Sequence, residues 1–141
     1  MMSESNTPDR DNINEEFDVI YRYTRAQAIA DGVLVDLTEW ARETNFVIPV
    51  ACTRAVWDGY VVPPPGTAEY GQSERGRAHD LLWMCYVAIR QRGGADHLMF
   101  EVIFINRRRQ QETVTLKAVC GPGDEGTPVL TIMLPLMESS A

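Results

Sequence analysis

Apolar residues recur at helical spacing between Ala78 and Ile89 and at every second position between Leu98 and Leu134, so the hydrophobic pattern changes period once along the chain. The helical stretch, with Ala78, Leu81, Leu82, Cys85, Ala88 and Ile89 in phase, predicts one long helix from about Ser73 to Arg92. Ser73 or Glu74 opens it and Gly93-Gly94 stops it. Trp83, Met84, Tyr86 and Val87 extend apolar character most of the way round, so this helix is expected to be central and the most buried. The alternating stretch predicts three strands of an antiparallel meander. "HLMFEVIFI" sets Leu98, Phe100, Val102 and Phe104 on one face, "ETVTLKAVC" sets Val114, Leu116 and Ala118, and "VLTIML" supplies Leu130, Ile132 and Leu134. "NRRRQQ" and "GPGDEGTP" carry the turn chemistry between them.

The first half is written in shorter units. Thr24 and Gln27 form a T-x-x-Q capping box, Gly32 suits the left-handed residue that ends a two-turn helix, and Ala26, Ile29 and Ala30 give that helix an apolar face. "VLVDL" follows as a short extended segment, Thr38 caps a second helix carrying Trp40, and Phe46 to Val50 is extended but interrupted by Pro49. Thr53 starts a third helix with Val56, Trp57 and Tyr60, and Pro63 to Pro65 stiffen the loop that follows. None of these units is long enough to be stable alone. The expected fold is therefore α+β: a helical N-terminal half with one long central helix packed on a three-stranded antiparallel β-meander. Residues 1–16 read as a flexible acidic tail, 17–136 as a single domain beginning with "FDVIYRY", a short edge strand or an extended arm laid on the domain, and 137–141 as a short C-terminal tail.

Charge narrows the partner class. The chain of 141 residues has a formal net charge of -7, and six of its acids lie in residues 1–23. That balance disfavours loose binding to phosphate backbones and suits a basic protein surface. No apolar run approaches the roughly 18 residues of a membrane span, and the polar, acidic start resembles neither a signal peptide nor a transit sequence, so a cytoplasmic protein is expected. Cys52, Cys85 and Cys120 are odd in number and widely spaced, which opposes a disulfide framework or a paired metal motif. His79 beside Asp80 could support thiol chemistry with a cysteine, but neighbouring helical side chains diverge by about 100° and form no dyad by adjacency. The glycines of "CGPGDEG" lack a following lysine, and Asp124 with Glu125 would repel a phosphate. Arg107 to Arg109 read as a solvated turn. No cofactor, metal site or catalytic set is expected.

The strings "YTRAQAIADGVLVDLTEWARE", "PVACTRAVWDGYV", "LLWMCYVAIR" and "TVTLKAVCGPGDEGTPVLTIMLP" together resemble a family of uncharacterised proteins carried by bacterial plasmids, phages and integrated elements, from about Tyr21 to Pro135. The family offers no catalytic motif to carry over. Several anti-CRISPR proteins are similar in size, charge and lack of catalytic residues, and the resemblance implies their mode: occupying the basic surface on which a CRISPR effector holds nucleic acid. The expectation is thus a non-enzymatic anti-defence protein whose partner is a CRISPR effector complex of the bacterial host. Glu15, Glu16 and Asp18 at the tail boundary and Asp124 and Glu125 in the second sheet turn are its candidate partner-binding carboxylates. The alternatives are an accessory or nucleic-acid-processing enzyme using His79 and a cysteine, and a structural or regulatory maintenance protein.

Overall fold

The computed structural model describes residues 23–67, 71–93, 96–105 and 110–135. The acidic tail, all but the last residue of the "FDVIYRY" arm, the Arg107–Arg109 turn and the C-terminal tail lie outside these ranges.

Helix α1 spans Arg25–Ala30. Its capping box forms: Thr24 Oγ1 accepts from the Gln27 amide and Gln27 Oε1 accepts from the Thr24 amide, each at 3.0 Å. At the other end Gly32 has φ +82°, and the amides of Gly32 and Val33 donate back to Ile29 and Ala28. The buried side chain is Ala28, whereas Ala26 and Ala30, expected to pack, face solvent. Alanines at 26, 28 and 30 fit more than one face, and docking decides between them: the Arg25 guanidinium donates to Thr131 Oγ1 and to the Leu130 carbonyl, both at 2.7 Å.

Strand β1 (Leu34–Asp36) leads into α2 (Thr38–Glu43). Here Asp36, and not Thr38, serves the helix start, accepting from the Thr38 amide at 3.0 Å. Strand β2 (Val50–Thr53) begins immediately after Pro49, and Thr53 caps α3 (Arg54–Val56), which runs on as a π-helical turn over Trp57–Val61. Helix α4 covers Glu74–Arg92, with Ser73 Oγ accepting from the Gly76 amide at 3.0 Å. Strands β3 (His97–Ile105), β4 (Gln111–Pro122) and β5 (Pro128–Met133) follow.

The class is α+β, but the expected three-stranded antiparallel meander is overturned. The described residues form one five-stranded mixed sheet of order β1-β2-β5-β4-β3, in which β2 lies parallel to β5 and the other pairs are antiparallel. The first half thus supplies two strands and only short helices. The pattern concealed this for a physical reason. Val50, Ala51 and Cys52 are all buried, because an interior strand is covered on both faces and shows no alternation, and β1 has only three residues. Parallel pairing also joins segments far apart in sequence, which no local period reports.

One row of opposed residues, Leu98, Ala118, Ile132, Cys52 and Val35, crosses all five strands within the core. Leu81, Leu82 and Cys85 of α4 join the same cluster. This helix buries more residues than any other described helix, with Arg77, Ala78, Leu81, Leu82 and Cys85 inside, but Trp83 and Met84, which extend its apolar character, emerge into solvent. Arg77 is buried at the start of α4, 3% exposed. Its Nε donates to the Tyr60 carbonyl at 2.6 Å, and its Nη1 to Gln72 Oε1 and the Ile105 carbonyl at 2.9 Å. It therefore ties the π-helical turn, the loop before α4 and the end of β3 to one guanidinium.

Candidate partner-binding surface

Strand β3 is an edge of the sheet, and its burial alternates strictly, with Leu98, Phe100, Val102 and Phe104 inward. The opposite parity should be polar on a solvated edge, yet it carries Met99 and Ile103, 43% and 52% exposed, on either side of Glu101. Helix α4 leaves Trp83 and Met84 exposed by 44% and 38% beside this strand. Two hollows follow. The first, about 330 Å³, lies among Asp80, Trp83, Met84, Glu101 and Ile103. The second, about 360 Å³, lies among Met84, Val87, Arg92, Met99 and Glu101. They share Met84 and Glu101, and each reaches a threonine of β4, Thr113 in the first and Thr115 in the second, so a trough runs along β3 beside the helix. On the helix its wall steps through positions 80, 84, 88 and 91, one face at helical spacing. Its lining is mixed, mainly apolar at the Asp80 hollow and about equally polar and apolar at the Arg92 hollow, with the Glu101 carboxylate shared by both. Partial burial pushes the Asp80 carboxyl above its ordinary range, against the pull of His79 and Arg77.

Of the candidates read from the sequence, two are among the described residues. Glu15, Glu16 and Asp18 lie outside the described residues. Asp124 and Glu125 sit together, exposed, in the turn between β4 and β5. Asp124 is already engaged, because its two carboxylate oxygens accept from the amides of Arg25 at 2.8 Å and Ala26 at 3.0 Å. Those bonds hold its carboxyl below the usual range. Neither Asp124 nor Glu125 lines the trough.

The residues of the enzymatic alternative are also dispersed. His79 and Asp80 line a polar cleft of about 440 Å³ with Trp40, Glu43 and Arg75, where Arg75 pairs with Glu43 and lies over the Trp40 ring. No cysteine lines that cleft. Cys52 and Cys85 are fully buried, and burial pushes both thiols up to about 12, far from a reactive thiolate. Cys120 lines a separate, mainly apolar cavity of about 240 Å³ with His97. Among the described residues no three ligating side chains are grouped to hold a metal, and no helix is long and apolar enough to cross a membrane.

Sequence reasoning passed over Trp83, Met84, Met99 and Ile103. The signal was present: "LLWMCYVAI" is apolar beyond the width of one helix face, and "HLMFEVIFI" is apolar in both parities, more than an edge strand with one buried face needs.

Residues 10–138 match the model of a family of unknown function, DUF6573. The chain belongs to that family. Neither the curated proteins nor the solved structures contain a match to it.

Proposed function

We propose that this protein is a non-enzymatic anti-defence protein of a mobile genetic element, an anti-CRISPR that acts in the bacterial cytoplasm. It binds a basic nucleic-acid-binding surface of a CRISPR effector complex and blocks target DNA binding. The observation that carries this reading is the trough beside β3, where exposed apolar side chains are bordered by the carboxylates of Asp80 and Glu101. Exposed apolar residues grouped on one face mark interaction sites, and bordering carboxylates select a cationic partner. The net charge of -7 favours encounter with such a surface, and the resemblance to proteins of plasmids and phages supplies the setting. Glu15, Glu16, Asp18 and Glu125 add carboxylates to this encounter, whereas Asp124 is occupied by α1.

The test uses purified CRISPR effectors of single-subunit and multi-subunit types with labelled target DNA. Added full-length protein is expected to prevent DNA binding by at least one effector, and Ile103→Glu, an exposed change that spares the core, is expected to abolish the effect. DNA binding that is unaffected across the panel would remove the anti-CRISPR reading. Inhibition that survives Ile103→Glu would place the interface away from the trough.

A further inference from the structure

The trough has the shape of a missing strand. β3 is nine residues long, about 30 Å at the usual rise, and it has no neighbour on its outer side among the described residues. In an antiparallel pair, alternate amides and carbonyls of each strand point away from its partner, so the outer side of β3 presents a ladder of donors and acceptors that no strand among the described residues meets. The two hollows lie end to end along Met99, Glu101 and Ile103, which share one face: apolar, acidic, apolar.

That order decides what can lie there. A second copy pairing its own β3 about Glu101, in either direction, would set two Glu101 carboxylates opposite one another, and like charges directly across a strand pair are destabilising. The complement is a heterologous strand with a cation at the centre and apolar residues two positions to either side. The cation would share the face of Glu101, with its aliphatic stem between Met99 and Ile103 and its head at the Glu101 carboxylate.

We infer that an extended segment of a protein partner, with an arginine or lysine flanked at two residues on each side by apolar residues, adds to β3 as a sixth strand and seats that cation opposite Glu101. This rests on the reading of the trough as the partner-binding surface, and it goes beyond that reading in stating what enters and how. Main-chain pairing supplies affinity, and the alternate side chains supply selection.

The probe is a seven-residue peptide blocked at both ends, with arginine at its centre, valine two residues to either side and threonine elsewhere, titrated against the full chain by calorimetry. It is expected to bind, and replacing its arginine by glutamate should weaken binding about tenfold. Glu101→Lys should reverse that preference. Methylating alternate peptide nitrogens so that they cannot pair should abolish binding, and alternate amides of β3 should exchange more slowly with the peptide present. The inference is overturned if both peptides bind equally or neither binds, if the methylated peptide binds as well, or if the β3 edge amides are already protected in the free chain, which would put another segment there. Peptides that fail while Ile103→Glu still abolishes effector inhibition would sink strand addition and leave the proposed function standing. Peptides that bind as expected while no effector is inhibited would do the reverse.

Discussion

At the scale of single residues, Arg77 shows how much a side chain's role depends on what folds around it. In "ERGRAHD" it reads as one more charge in a solvated helix start, yet it is buried with its guanidinium 4.6 Å from the Phe104 ring centroid and bonded to three acceptors. Burial lowers its basicity, against the nearby carboxylates of Asp80 and Glu112, but an arginine remains charged under all ordinary conditions. Arg77→Met should therefore destabilise the protein by about 3 kcal/mol, since hydrogen bonds to a charged group are lost and buried carbonyls are left without a donor. Arg77→Lys should recover little, because an ammonium cannot reproduce the planar fork. Urea unfolding of both variants measures this. A lysine variant as stable as the parent would show that charge alone, and not the fork, holds the junction.

At the scale of elements, α1 is a six-residue helix held from outside as much as from within. Its capping box was legible, because Thr24, Gln27 and Gly32 act within a few bonds of one another. Its attachment was not, because Asp124 reaches the amides of Arg25 and Ala26 from 99 and 98 residues away. The folded Asp124 carboxyl lies below its ordinary value of 3.8. A depressed acid contributes stability that is fully present above the unfolded value and is lost as pH falls through the lower folded one. Between neutral pH and about pH 5 the attachment should be constant, and below pH 3.8 it should weaken progressively. The Arg25 and Ala26 amide resonances should move in step with the Asp124 carboxyl in an acid titration, and Asp124→Ala should remove that movement. Amides that do not follow the carboxyl would show that the contact is absent in solution.

At the scale of the whole molecule, the row from Leu98 through Ala118, Ile132 and Cys52 to Val35 makes both halves of the chain one sheet. Ile132 is fully buried and stands where the parallel and antiparallel pairings meet. Ile132→Ala should cost about 2 to 5 kcal/mol through lost burial and the cavity left behind. The loss should reach the first half as well: fluorescence of Trp40 and Trp57, stacked 6.3 Å apart, should report the same melting transition as the circular dichroism of the sheet. Separate transitions would mean that β1 and β2 are not integral to the fold.

The sequence by itself determined what acts over a few residues: the starts of α1, α3 and α4, the ends marked by Gly32 and Gly93, and the alternation of β3 and β4, whereas in β5 Val129 and Leu130 are buried in succession and Leu134, expected inward, is exposed beyond the strand. It also carried the α+β class, because the change from helical to alternating period is a property of the chain. Tertiary structure decided the five-stranded mixed sheet, since β2 is buried on both faces and pairs with a segment about 80 residues away. It decided equally which surplus apolar residues became surface. Trp83 and Met84 were indistinguishable from core in a pattern that records only hydrophobicity, Met99 and Ile103 lay off the core parity of β3, and all four line a trough because nothing among the described residues continues the sheet beyond β3.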